Sequence, residues 1–129
     1  MLEGKGWKVV PAASFSRDLD AYREYILRSR GEFTVAKDQN IRLRSGWFSD
    51  RSAAYLAAGR PVITQETGFS NILPTGDGLF AFSSMDYILR AVEKINSDYQ
   101  KHRRAALTIA REYFSHEIVL PKLLAEVRL

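Results

Sequence analysis

Short apolar runs and amphipathic stretches alternate along most of this chain. Four runs have the length and the β-branched or aromatic character of strands. These runs cover residues 7–10, 32–36, 61–64 and 79–82. The alternation of such runs with helical patterns predicts parallel strands joined by right-handed crossovers.

Five helices are predicted from apolar residues spaced three and four apart. They cover residues 16–30, 50–58, 83–96, 99–114 and 116–128, and Pro121 is expected to kink the last one. Ser16 is the predicted cap of the first helix, and Gly31 is predicted to end it in a left-handed conformation. The fold class is therefore α/β, with about four mostly parallel strands and a helical C-terminal tail. Residues 1–129 are expected to form a single domain.

Composition narrows the function classes only a little. The absence of cysteine excludes disulfides and thiolate metal sites and favours a cytoplasmic location. The first residues lack the apolar segment of a signal peptide, and no run approaches the length of a transmembrane segment. Nineteen Lys and Arg against fifteen Asp and Glu suit phosphate-bearing ligands, and equally suit plain solubility.

Candidate chemistry lies where predicted strands end, because open α/β sheets bind ligands beyond the carboxyl ends of their strands. After the strand at 32–36 come three cations and then a turn that opens a helix, whose free N–H groups favour phosphate. The candidates are Lys37, Arg42, Arg44, Ser45, Gly46, Asp50, Arg51 and Ser52. The alternative is that the serines only cap the helix and the arginines are solvated.

A second candidate loop follows the strand at 61–64, where Gly68, Phe69, Ser70 and Asn71 can bring backbone N–H groups or an amide to a ligand. An ordinary connecting loop would look much the same. Trp47 and Phe48 are either a stacking platform or buried aromatic residues. His102 and His116 lie in the helical tail without partners for a triad or a metal cluster, so both are expected to be structural or solvated, and no metal is expected.

Residues 53–64 read AAYLAAGRPVIT, and this segment resembles the helix-to-strand step of the carboxy-terminal domain of GT-B glycosyltransferases. Further downstream, residues 68–78 are similar to the glycine loop that those enzymes place beside the donor phosphates. The segment 78–80, GLF, resembles their next strand. Residues 44–52 are most similar to a bacterial group 1-like branch that includes CgeB-type proteins.

The resemblance implies an incomplete Rossmann-like domain that binds a nucleotide diphosphate sugar, without a metal or other cofactor. It implies that Lys37, Arg42 and Arg44 neutralise the diphosphate, that residues 45–52 donate N–H groups, and that residues 68–71 close over the donor. No residue is a convincing general base. The acceptor domain of a GT-B enzyme has no counterpart in the chain, so the chain alone is expected to be inactive.

One departure from the family concerns the ribose contact. Many retaining members carry a glutamate where this chain has Ala54, and Asp50, one turn earlier, is a possible substitute. A sheet without its first strands also leaves an edge uncovered, which favours a homodimer. The first rival is therefore a non-catalytic nucleotide- or partner-binding half-domain that dimerises. The second is a nucleic-acid-binding domain, which the interspersed acidic residues disfavour.

Overall fold

The computed structural model describes residues 2–127 and contains three strands and six α-helices in that range. The strands are β1 (Glu32–Thr34), β2 (Val62–Gln65) and β3 (Leu79–Phe82). The helices are α1 (Leu19–Arg28), α2 (Asp38–Arg42), α3 (Asp50–Ala57), α4 (Met85–Ser97), α5 (Tyr99–Ile109) and α6 (His116–Glu126). Short 3₁₀ turns lie at Glu3–Lys5, Ala12–Ser14 and Phe69–Asn71, and a π-helical turn at Ala110–Phe114 follows α5.

The sheet is parallel, and its strands lie in the order of the sequence. β1 pairs with β2 and β2 with β3, so that Glu32 lies opposite Val62 and Val62 opposite Leu79. This confirms the predicted α/β class and the parallel direction of the strands. The sheet has three strands instead of about four in residues 2–127.

Each face of the sheet has its own core. On one face, Val62 and Leu79 pack with Leu56 of α3 and Ala106 of α5, all fully buried. On the other face, Ile63 and Phe80 pack against α4 through Ala91 and Ile95. This separation follows from the alternation of side chains along each strand. The molecule therefore has helices on both faces of the sheet.

The predicted strand at residues 7–10 is wrong. The segment is exposed, and within residues 2–127 the backbone groups of Lys8, Val9 and Val10 have no hydrogen-bond partner. The pattern of Trp7, Val9 and Val10 suits a strand, but a strand forms only when its backbone pairs with a neighbour. Within residues 2–127, none of the three strands pairs with residues 7–10.

Two details at the first helix also differ from the sequence prediction. α1 begins after Asp18, whose carboxylate accepts a hydrogen bond from the Ala21 N–H at 2.7 Å, and not after Ser16. Gly31 does not have a positive φ. A Cβ there would lie 2.6 Å from the Pro61 carbonyl oxygen, so glycine is needed because two backbone segments approach closely.

The remaining differences concern helix length and burial. The polar loop at 37–46 contains α2, and the helix predicted for 99–114 changes to π geometry at Ala110. Among the apolar residues of α1, only Ile26 is buried, whereas Leu19 is 87% exposed. α6 buries none of its residues and continues through Pro121. The predicted end of this helix at Arg128 lies outside the described residues.

Candidate functional site

The carboxyl ends of the three strands form one edge of the sheet, and side chains tie this edge together. The Gln65 side-chain oxygen accepts a hydrogen bond from the Ala36 N–H at 3.2 Å, which joins the end of β2 to the residues after β1. The Glu66 N–H donates to the Phe82 carbonyl at 2.9 Å, which joins β2 to the end of β3. The loops that follow the strands therefore start from a rigid base.

The two candidate loops meet at this edge. The Gly46 N–H donates to the Thr67 carbonyl at 2.9 Å, and the Thr67 hydroxyl donates to the Trp47 carbonyl at 2.6 Å. Thr67 is only 1% exposed. Its backbone and its side chain therefore hold residues 44–47 against the start of the loop after β2, and we call these two segments together the paired loops.

Gly68 is required where the paired loops touch. Its φ is +102°, a conformation that residues with a Cβ rarely adopt. A Cβ on Gly68 would also lie 3.0 Å from the Arg44 carbonyl oxygen. Arg44 itself has a φ of +46°, unusual for a residue other than glycine. The close contact between the loops thus depends on special backbone conformations on both sides.

The turn before α3 is ordered by its own side chains. The Ser45 hydroxyl donates to the Asn40 side-chain oxygen at 3.1 Å and accepts a hydrogen bond from the Trp47 N–H at 3.4 Å. The Ser45 N–H donates to the Asn40 carbonyl at 3.2 Å. Ser45 and Gly46 remain exposed, so the turn is accessible to a ligand although its hydroxyl has partners.

The cations among the candidate residues are the three predicted to neutralise the diphosphate, Lys37, Arg42 and Arg44, together with Arg51 of the predicted turn, and they fall into two groups. Arg42 forms an ion pair with Asp38 at 2.7 Å on the surface of α2, and Arg51 forms one with Glu32. Lys37 and Arg44 are exposed, and neither forms an ion pair with a carboxylate of residues 2–127. Of the four, these two have their charge available to an anion.

Arg51 serves the structure from the first turn of α3. Its Nε lies 2.5 Å from a carboxylate oxygen of Glu32, and its Nη2 donates to the Thr34 hydroxyl at 2.8 Å. The Glu32 side chain is only 5% exposed. The hydrogen bond with Glu32 raises the pKa of the Arg51 guanidinium above its ordinary value, although burial acts in the opposite direction. Arg51 thereby attaches α3 to β1.

The amino terminus of α3 is occupied by the protein's own carboxylate. Asp50 accepts a hydrogen bond from the Arg51 N–H at 2.8 Å, and the Ser49 hydroxyl lies 3.4 Å from the same oxygen. Ser52 is fully buried, and its hydroxyl has no hydrogen-bond partner within residues 2–127. A carboxylate at this end of the helix competes with a phosphate for the same field. The predicted use of residues 50–52 as a phosphate cradle is therefore disfavoured by the geometry.

The second candidate loop, residues 68–71, also contains both buried and exposed residues. Phe69 is 2% exposed and belongs to the core, so its side chain is not accessible to a ligand. Ser70 and Asn71 are exposed beside it. Phe48 packs against Phe69 and Phe114 with ring centroids 5.3 and 5.5 Å away, whereas Trp47 is 39% exposed. Only Trp47 of the two aromatic candidates is free to stack on a ligand.

One residue that supports this region was not found from the sequence. Thr67 bonds through its hydroxyl to a residue twenty positions away, and a single sequence carries no signal of that contact. His102 is buried as a structural residue, which is one of its two predicted roles, and its Nδ1 accepts a hydrogen bond from the Gly78 N–H at 3.2 Å. His116 is exposed at the start of α6.

In the part of the chain that the structure describes, no group of three or more His, Asp and Glu side chains is placed to hold a metal ion. None of its helices is long and apolar enough to cross a membrane. The chain matches no protein-family model, no curated protein and no solved structure.

Proposed function

We propose that this chain is the donor-side part of a glycosyltransferase and that the paired loops bind the diphosphate of a nucleotide diphosphate sugar. The observation that carries the proposal is the contact between residues 44–47 and Thr67 at the carboxyl edge of a parallel sheet. Ligands of open α/β sheets bind at this edge. The resemblance of residues 53–64 and 68–80 to GT-B donor domains supports a donor site at these loops. We also propose that the fold is part of a Rossmann-like domain.

Lys37 and Arg44 are the residues we assign to the diphosphate. Arg44 belongs to the paired loops and Lys37 follows β1 at the same edge of the sheet; both are exposed, and neither is neutralised by a carboxylate of residues 2–127. Fixed positive charge beside the leaving diphosphate lowers the energy of charge that develops as the glycosidic bond breaks. Arg42 and Arg51 contribute less in this proposal, because Asp38 and Glu32 already neutralise them.

Ser45, Gly46, Ser70 and Asn71 supply polar groups at the rim of the same loops, since all four are exposed. Trp47 offers a half-exposed ring on which a base or a sugar can stack. The exposed carboxylate of Asp50 is the acceptor that we assign to a ribose hydroxyl, in place of the family glutamate that Ala54 replaces. No residue of this group is assigned as a general base, and in this proposal a second domain binds the acceptor.

The test is ligand binding by the purified chain, measured as a rise in the thermal unfolding midpoint. A ligand that binds only the folded state, present at about 100 times its Kd, adds about 2.7 kcal/mol to stability. We expect nucleoside diphosphates and their sugars to raise the midpoint and pyrophosphate to raise it less. Lys37→Ala and Arg44→Ala should each lose most of the rise without changing the midpoint of the free protein.

Arg104→Ala is the matched control, because Arg104 is exposed on α5 and forms no ion pair with a carboxylate of residues 2–127. The Trp7→Phe variant leaves Trp47 as the only tryptophan, so its fluorescence reports on the loops directly. A rise of equal size with sulfate, or one that Arg104→Ala removes equally, would reduce the effect to general anion binding. No rise with any nucleotide would refute the proposal for this chain.

A further inference from the structure

The outer edge of β1 is open for pairing. The Glu32 N–H donates to the Pro61 carbonyl at 2.9 Å, and the Ala36 N–H donates to the Gln65 side chain, so the even-numbered amides face β2. Because the direction of the amides alternates along a strand, those of Phe33 and Val35 face away from β2. Within residues 2–127 no strand pairs with β1 on that side.

Apolar surface accompanies this open edge. Phe33 is 49% exposed and Val35 is 63% exposed. A cavity of about 620 Å³ adjoins the strand and is lined by Glu32 and Phe33, by Tyr25 of α1 and by Trp7. An exposed apolar strand edge of this kind is a template for another strand.

In the described part of the chain, residues 7–10 also have unpaired backbone groups and exposed apolar side chains. They belong to no helix or strand, their sequence has the pattern of a strand, and from Lys8 to Val10 their backbone groups have no hydrogen-bond partner in residues 2–127. Trp7, Val9 and Val10 are 60%, 55% and 42% exposed. Within residues 2–127 of their own copy, no backbone hydrogen bond joins Lys8, Val9 or Val10 to β1, although Trp7 lines the cavity beside that strand.

We propose that two copies of the chain exchange these segments, so that residues 7–10 of each copy pair with the outer edge of β1 of the other. Reciprocal exchange satisfies a two-fold axis, since the same two surfaces occur in each copy. Main-chain hydrogen bonds give the affinity in such strand addition. The Phe33 and Val35 amides are the donors on the receiving strand.

The exposed area suits a dimer of modest stability. With about 150–250 Å² for a large aromatic side chain, Trp7, Phe33 and the three valines together expose roughly 500 Å² per copy. Reciprocal exchange thus buries about 1,000 Å² of apolar surface before the backbone is counted, near the lower limit of about 1,200 Å² for stable interfaces. This inference does not depend on nucleotide binding, because β1's outer edge and the paired loops are separate surfaces.

The test compares two proline variants by sedimentation equilibrium. Val35→Pro removes an outward-facing N–H without removing a bond to β2, and Val9→Pro blocks the donated segment. The wild-type chain should form dimers at micromolar to hundreds of micromolar concentration. Each variant alone should raise the dimer Kd at least tenfold. Met85→Lys, a charge placed on an apolar residue that is 66% exposed on α4, should leave the Kd unchanged.

Mixing the two variants gives the decisive result. Val9→Pro keeps an intact β1 edge and Val35→Pro keeps an intact segment, so the mixture should regain one of the two exchanged contacts and associate more tightly than either variant alone. Thermal unfolding of each variant checks that it folds, and Val35→Lys replaces Val35→Pro if the proline variant does not. A monomeric wild-type chain, a dimer that both variants retain, or a mixture that regains nothing would each overturn the proposal.

Discussion

A glycine can be required because its φ is positive or because a Cβ would meet another backbone segment. Gly76 and Gly31 each show one of these causes, and Gly78 shows both. Its φ is +73°, and a Cβ there would lie 2.4 Å from the Ala106 amide nitrogen of α5. Gly76 has a φ of +110° with open space around it, so Gly76→Ala measures backbone strain alone. Gly31 has no positive φ but lies against the Pro61 carbonyl, so Gly31→Ala measures the contact alone.

We expect Gly76→Ala to cost about 1–2 kcal/mol, the usual penalty of a left-handed conformation for a residue with a Cβ. Gly31→Ala should cost about 1–3 kcal/mol, because backbone must move to admit the methyl group. Gly78→Ala carries both effects and should cost about 3–5 kcal/mol, a large part of the 5–15 kcal/mol that typically stabilises a domain.

Urea unfolding followed by circular dichroism measures these differences as shifts of the midpoint at constant slope. The midpoints should fall in the order wild type, Gly76→Ala and Gly78→Ala, with Gly31→Ala between wild type and Gly78→Ala. If Gly78→Ala were no less stable than Gly76→Ala, the start of β3 could not lie against the backbone of α5, and the packing described here would be incorrect.

Three further predictions concern residues around β1 and the paired loops. Arg51→Met should cost about 2–3 kcal/mol, because it leaves the buried Glu32 carboxylate unpaired, and Arg51→Met with Glu32→Leu should recover most of that loss in urea unfolding; equal losses in both variants would contradict the ion pair's role. Burial raises the pKa of Tyr55 above 10.0, so the folded state resists ionisation and stability should fall as the pH rises above about 10. Tyr55→Phe should have nearly wild-type stability at neutral pH and a weaker alkaline loss, and an unchanged alkaline slope would count against this assignment. Thr67→Val should cost about 1–2 kcal/mol, because the Trp47 carbonyl loses its donor, and it should shift Trp47 fluorescence in a Trp7→Phe background, whereas an unchanged spectrum would mean that Thr67 does not order this loop.

The elements that were predicted correctly are those whose signal is local. β3 agrees to the residue, β2 is displaced by one residue, and α3 begins at Asp50 as expected. Each lies in a segment whose apolar pattern and flanking glycine, proline or serine indicate the same element. The parallel direction of the strands followed from the alternation of strands and helices.

The errors arise where the outcome depends on a distant partner. Residues 7–10 have the local pattern of a strand, but pairing is a property of two segments. Arg51 resembles a ligand-binding cation in sequence, whereas its partner Glu32 lies nineteen positions earlier on another element. Gly31 was explained by backbone conformation, although the reason is the Pro61 carbonyl thirty positions later.

The candidate site was predictable as a region and less so as a set of side chains. The rule that ligands bind at the carboxyl edge indicated the two loops, and the structure brings them together through Thr67. Packing decides which cations remain unneutralised. It also decides that Phe69 is buried while Trp47 remains exposed, and the pattern along a single sequence does not reveal this packing. Whether these residues bind a nucleotide sugar stays a prediction.

The simple order of the sheet has a consequence for how the chain is made. Because β1, β2 and β3 lie side by side in the order of synthesis, each strand can pair with its predecessor as it leaves the ribosome. The last step is different: the Gly78 carbonyl, just before β3, already accepts a hydrogen bond from the Val62 N–H, but its own N–H finds its partner His102 only when α5 arrives 24 residues later. A nascent chain that ends before α5 therefore has a complete set of strands but an unlocked third strand, and it should become resistant to protease only after α5 has emerged.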